Sequence, residues 1–280
     1  MQYKPMINKA KSKRFPKTTE SRAMPIPPES RPFRSAVAYY ERYRLAFPGR
    51  LIRRVIGLLD LKPGDAILDL GCGTGMLAIP FARLGMAVTA MDPEPDMLAA
   101  AGRAAEAAGV TLNLKQGGSH ELTPQMGPFR LAVMGRSFHW MDRAATLEML
   151  DRIVTRDGGV ALFHDAHPPV KENDWFKILC DVQHRYGRER RGGHRRYEPY
   201  LFASAFTELD GLSVTIRQEV TAEDIVGRAF SMSACSPAKL GGAREEFAAR
   251  LSAALRELAP DGKFTEVAEL VAVLARRPNK

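Results

Sequence analysis

The sequence predicts an α/β protein built on a doubly wound, mostly parallel sheet. Three observations carry that prediction. Residues 66–92, AILDLGCGTGMLAIPFARLGMAVTAMD, run from a short apolar strand through glycines at alternate positions into a helical apolar repeat, then into a second strand that ends on an acid. Downstream, apolar runs of strand length keep alternating with helical segments as far as residue 165. Hydrophobic residues make up 45% and charged residues 26%, an ordinary globular balance with enough apolar surface for a sizeable core. No apolar run approaches the ~20 residues of a membrane span.

In order, residues 1–35 are rich in Lys, Arg, Pro, Ser and Thr without any apolar period. They read as a basic disordered tail, with Met24 as an alternative start. Ala36 to Phe47 and Leu51 to Leu59 carry helical spacing, split by Pro48 and Gly49. Ala66 to Leu70 is a strand, the glycine turn opens a helix, and Ala87 to Met91 is the next strand, ending on Asp92. Pro93 to Ala108 reads as a helix and Thr111 to Lys115 as a strand. Phe129 to Met134 reads as a core strand ending at Gly135, Arg136 and Ser137. A helix over Ala144 to Val154 leads through a turn at Asp157–Gly158–Gly159 to a strand over Val160 to Phe163. Beyond lie a helix (Trp175 to Tyr186), a strand (Leu212 to Val220), two helices (Ala222 to Ser233, Pro237 to Leu258) and a last strand (Glu269 to Ala275).

The net charge of +9 is unevenly spread. Residues 1–36 carry +7 and the run RYGRERRGGHRR at 185–196 carries +5, so the remainder is −3. A basic nucleic-acid stripe across the folded body is therefore not expected. The 185–196 run reads as a mobile loop or as a recruiting segment for a polyanion. Cys72, Cys180 and Cys235 are odd in number and lack metal-ligand spacing, which fits free thiols in a reducing cytoplasm and no metal site.

The chemistry concentrates in the glycine turn. Glycines let the backbone turn sharply and approach a ligand, and a helix start offers unpaired N–H groups. An acid at the tip of the second strand, here Asp92, can accept hydrogen bonds from both ribose hydroxyls. A dinucleotide fingerprint would read G-x-G-x-x-G. Here the spacing is Gly71, Gly73, Gly75, preceded by Asp69. A carboxylate two residues before the first glycine suits a cationic ligand and is misplaced beside a pyrophosphate.

LDLGCGTG resembles motif I of the Rossmann-like (class I) S-adenosylmethionine (SAM) dependent methyltransferases, at every fixed position of hydrophobic-x-hydrophobic-D-x-G-x-G-x-G. The resemblance implies a seven-stranded sheet closed by an antiparallel sixth and seventh pair, with an N-terminal helical lid and a helical insertion before the last strand. It implies one domain over 36–280: lid helices at 36–60, a cofactor-binding core at 61–165, and a substrate cap with sheet closure at 166–280. It also implies a SAM site. Asp69, Gly71, Cys72, Gly73, Gly75 and Asp92–Pro93 would form its centre, with Met97 against the adenine and Gly135 and Arg136 bordering the methyl. Tyr40, Tyr43, Arg44 and Pro48 match the lid pattern, so Tyr40 and Arg44 are candidates for the methionine carboxylate. Gly118 stands where the family carries an adenine-binding acid, leaving Ser119, His120 or Glu121 as substitutes. Phe129–Arg130 replaces its usual F-D. His139–Trp140 with Asp142 resembles the methyltransferase type 11-like small-molecule branch.

Methyl transfer from a sulfonium needs chiefly a nucleophile held in line at about 3 Å with water excluded. A base is required only when the acceptor must lose a proton. His139 and His164 are the candidates, against the alternative that each is a pocket-wall histidine. Arg136 can meet an anionic acceptor or pair with an acid of the fold. The absence of N/D-P-P-Y/F and of Pro-Cys after the fourth strand argues against base methylation of DNA or RNA. The expected function is methyl transfer to an oxygen or nitrogen of a small acceptor, a carboxylate among the options. The rival expectations are a nucleic-acid or protein methyltransferase recruited by the basic segments, and a regulatory protein that binds SAM without turnover.

Overall fold

The computed structural model describes residues 34–187 and 197–278. Its strands are β1 (Ala66–Leu70), β2 (Ala87–Asp92), β3 (Asn113–Gln116), β4 (Phe129–Gly135), β5 (Val154–Ala166), β6 (Glu208–Thr221) and β7 (Lys263–Arg276). Across the sheet they stand in the order 3-2-1-4-5-7-6. β1 to β5 pair parallel, and β7 runs antiparallel between β5 and β6. Order and polarity are those of the seven-stranded Rossmann-like sheet implied by the glycine turn. β1 is apolar apart from Asp69 and buried at four of its five positions, as a central parallel strand covered on both faces must be.

Helices α1 (Val37–Tyr43), α2 (Gly49–Leu58), α3 (Ala78–Arg83), α4 (Pro95–Ala107) and α5 (Arg143–Ile153) flank that sheet. On one face α2 buries Leu51, Ile52 and Val55 against Phe81, Phe163 and Leu270. Each such side chain contributes about 1.5–3 kcal/mol on full burial. On the other face α5 sets Leu147 and Leu150 against Leu68, Ala132 and Leu162, together with Leu201 of α7 (Glu198–Phe202). A third core joins α6 (Asp174–Arg185), α8 (Ala222–Phe230) and α10 (Arg244–Leu258) through Trp175, Leu179, Ile225, Phe247 and Leu251. This third core forms a cap. β5 pairs with β7 only from Glu269 onward, so residues 263–268 of β7 and their β6 partners run past β5 as a two-stranded ribbon into the cap.

Four elements depart from the sequence expectation. The first helix stops at Tyr43, and Arg44 is already extended. Pro48 disfavours helical backbone at Phe47, and Leu45 and Phe47 gain burial by leaving the helix. Asp157–Gly158–Gly159 lies within β5 as a bulge, with a register shift opposite Phe129 and Leu131. The bulge gives Arg130 its role: it pairs with Asp157 and donates to Leu59 O at 2.9 Å, bolting α2 to the sheet. The 237–258 helix is broken at Gly241 into α9 (Pro237–Leu240) and α10. The last strand begins at Lys263 rather than Glu269. The basic tail lies outside the described residues up to position 33, and the arginine run does so at 188–196.

Candidate active site

The site is built where β1, β2, β4 and β5 end. Asp69 is 1% exposed, and its Oδ2 accepts the N–H of Ala78 at 2.9 Å, capping the start of α3. Its Oδ1 is buried without a partner in the wall of a cavity of about 10 Å³, which Gly71, Cys72, Gly135 and Arg136 also line. Burial pushes the Asp69 pKa up to about 7, with Asp92 adding to the rise and the Ala78 N–H opposing it. An unsatisfied acid facing a cavity is a ready partner for a cation. Gly71, Gly73 and Gly75 all have left-handed backbone. At Gly71 the requirement is double, because a Cβ would also stand 2.5 Å from Ser137 Cβ, whose hydroxyl donates to Leu70 O at 2.7 Å.

Asp92 is fixed at the tip of β2. Its Oδ2 accepts Gly73 N–H at 2.8 Å and its Oδ1 accepts Glu94 N–H at 2.9 Å. A carboxylate has about four lone-pair sites, so both oxygens keep acceptor capacity for ribose hydroxyls. Burial raises its pKa as well. Cys72 donates to Gly73 O at 3.6 Å, and burial, helped by Asp69 and Asp92, pushes its thiol well above the usual range. That environment suits packing rather than nucleophilic chemistry.

The segment running from α1 to α2 supplies the remaining wall through Tyr40 and Phe47, with Tyr40 Cε1 over the glycine turn. Arg136 closes that side. Its backbone is left-handed, with φ 59°, and its N–H donates to Phe163 O at 2.9 Å. The guanidinium pairs with Asp165, donates to Leu45 O at 2.7 Å and lies 4.4 Å from the Phe47 ring centre. Of the two roles open to it, the ion pair with an acid of the fold is the one formed. Burial works to raise the Asp165 pKa, but Arg136 and Arg44 outweigh it and hold the carboxyl well below its usual range. Arg44 donates to Ser231 O at 3.1 Å, while its Nε is buried without a partner 
.

Of the predicted residues, Tyr40, Asp69, Gly71, Cys72, Gly135 and Arg136 share the cavity wall. Met97 is buried in α4 and Pro93 is exposed. Gly75 packs on Ile79 and Ala101, holding α4 close. Ser119 and His120 sit on a short turn after β3, where Glu121 accepts Gly118 N–H at 2.7 Å. His164 and Asp165 point to opposite faces of β5: Asp165 meets Arg136, while His164 faces the Tyr197 ring at 6.4 Å. His139 is half-buried, its ring 5.0 Å from that of Trp140. Phe47, Met76 and Leu77, whose helical spacing points only to packing, also line the cavity.

This sheet order, glycine turn and strand-tip acid define a class I methyltransferase fold. Residues 67–159 match the family described as methyltransferase domain. An uncharacterized methyltransferase of Mycobacterium tuberculosis is 27% identical over 210 residues, covering 74% of this chain and 80% of that protein. A ubiquinone biosynthesis O-methyltransferase of Methylocella silvestris is 37% identical over 151 residues, covering 52% and 58%. A solved SAM-dependent methyltransferase from Thiobacillus denitrificans, in complex with S-adenosylhomocysteine, superposes with TM-score 0.52 at 18% identity over 88% of this chain and 98% of that one. The matched domain, these relatives and the fold support a SAM-dependent methyltransferase of class I.

Proposed function

We propose that this methyltransferase acts on the oxygen or nitrogen of a small-molecule acceptor. The observation that carries the reading is enclosure: the segment that walls the cavity is packed against the cap, with the Tyr43 ring on Gly227 and Arg44 bonded to Ser231 O. An enclosed crevice suits a small ligand rather than a duplex or a protein face. When bound, SAM supplies a methyl group already activated on a sulfonium. Asp69 meets its positive charge, Asp92 its ribose, and Tyr40 with the unpartnered Nε of Arg44 its carboxylate. His139 and His164, at the ends of β4 and β5, are the groups able to take a proton from a hydroxyl or ammonium acceptor. A carboxylate acceptor would need neither. The relative named for ubiquinone biosynthesis puts phenols beside small carboxylic acids in the first acceptor screen.

Thermal unfolding tests the cofactor half. The midpoint should rise with SAM or S-adenosylhomocysteine (SAH) and stay unmoved by NAD, because only a ligand bound to the native state shifts it. A phenol or carboxylic acid methylated in turnover assays supports the acceptor class. Salt-sensitive retention of nucleic acid, lost on deleting residues 185–196, would instead favour a polyanionic substrate.

A further inference from the structure

The cofactor cavity needs a wall that moves. Its volume of about 10 Å³ falls far below the ~300–1,000 Å³ of small-molecule sites. The glycine turn and the strand ends belong to the buried sheet, which leaves the Tyr40–Phe47 side. What holds that segment therefore controls entry and release.

Helix α1 is docked on the cap helix α8. The Tyr43 ring lies so close to Gly227 that a Cβ there would stand 2.3–2.5 Å from three ring atoms. Tyr39 meets Phe230 edge-on at 5.2 Å, and Arg44 donates to Ser231 O just beyond α8. In the reverse direction Arg228 of α8 donates from Nε to Tyr43 O at 3.2 Å. Arg228 is only 4% exposed, and its two terminal nitrogens are taken by Glu266 of the β6–β7 ribbon. Glu266 is fully buried and also bonds His167 Nε2 at 2.6 Å and Gln218 Nε2 at 2.8 Å. A planar guanidinium gripped at both terminal nitrogens leaves its Nε–H one direction, and that direction is the lid carbonyl.

We propose that Arg228, oriented by Glu266, is a positioning residue that ties the cofactor lid to the cap, so that residues 40–47 open and close together with α8. The inference rests on the reading that these residues wall the cofactor. An acceptor that orders the cap then slows cofactor release.

Arg228→Lys keeps a charge for Glu266 but cannot serve it bidentately while also reaching Tyr43 O. Arg228→Met/Glu266→Gln removes both charges, so neither is left buried alone. SAH dissociation from each should be about tenfold faster than from the parent, the equivalent of one hydrogen bond to a charged group, measured well below each unfolding midpoint. Trp175 packs 5.9 Å from the Arg228 guanidinium, and in Trp140→Phe protein it is the only tryptophan. SAH should change its emission, and adding Arg228→Lys should abolish that change. Parent-like release from both variants, or no Trp175 response in Trp140→Phe protein, overturns the proposal. Tyr40→Ala separates the two failures. If it alone speeds release, the lid reading stands and the Arg228 tie falls; if it too releases SAH like the parent, both fall.

Discussion

Asp69→Asn is expected to stabilise the cofactor-free protein above neutral pH while weakening SAM binding. Burial lifts the Asp69 pKa to about 7, with Asp92 adding to the rise, whereas in the unfolded chain an aspartate titrates near 4. Between those values the native state keeps a proton that the unfolded state has released, so stability falls as pH rises. The full cost, about 4 kcal/mol, is present above about pH 7. Asparagine keeps an acceptor for the Ala78 N–H and carries no charge to desolvate. The midpoint at about pH 8 should rise by an amount on the order of 5 °C, with the gain vanishing near pH 4. A cationic ligand favours ionised Asp69, so SAM affinity of the parent should climb from about pH 6 to about pH 8. In the variant it should be flat over that range and at least about tenfold weaker at the upper end. Calorimetric titration against SAM across that range decides it. Parallel pH profiles for parent and variant would mean that Asp69 faces something other than the sulfonium end.

The sheet and the glycine turn were legible because each depends on local backbone demands. Gly71 needs left-handed backbone and room for Ser137, and the acid before it caps the helix that follows. The pairs that close the site were not legible, because they depend on register and on tertiary reach. Asp165 meets Arg136 because Gly135 stands opposite Phe163 in the β4–β5 ladder, and nothing in either segment alone fixes that offset. Glu266 left a faint trace: it occupies the buried file of an alternating strand, between Phe264 and Ala268. An acid in that file interrupts the apolar alternation ahead of Glu269, where the ribbon lies. Arg228 likewise lies within the buried stripe of α8, beside Ile225 and Ala229. In both cases the signal was a charge where the apolar period called for a hydrophobic residue, which marks a buried pair whose partner only the fold supplies.

Asp165→Asn should be the most damaging of the conservative changes at the site. It leaves Arg136 buried with no counter-charge and Arg44 close by, and breaking such a pair from one side costs about 3–5 kcal/mol. For a chain of this size that lowers the midpoint by about 5–9 °C. The loss should be the greater because Arg136 sits in left-handed backbone, a conformation that persists only when its surroundings enforce it. Asp165 is ionised in the native state well below the usual carboxylate range. Its contribution is therefore complete above about pH 4 and fades as pH falls through the depressed native value. Parent and variant should differ most at neutral pH and converge only in strong acid. Asp165→Asn/Arg136→Met, which removes both charges, should lose less than the two single variants together. Because Arg136 also holds Leu45 O under the lid, the double variant should regain stability without regaining slow SAH release. A double variant that recovers both would separate the Asp165–Arg136 pair from the cofactor and leave it a purely structural bridge between β4 and β5.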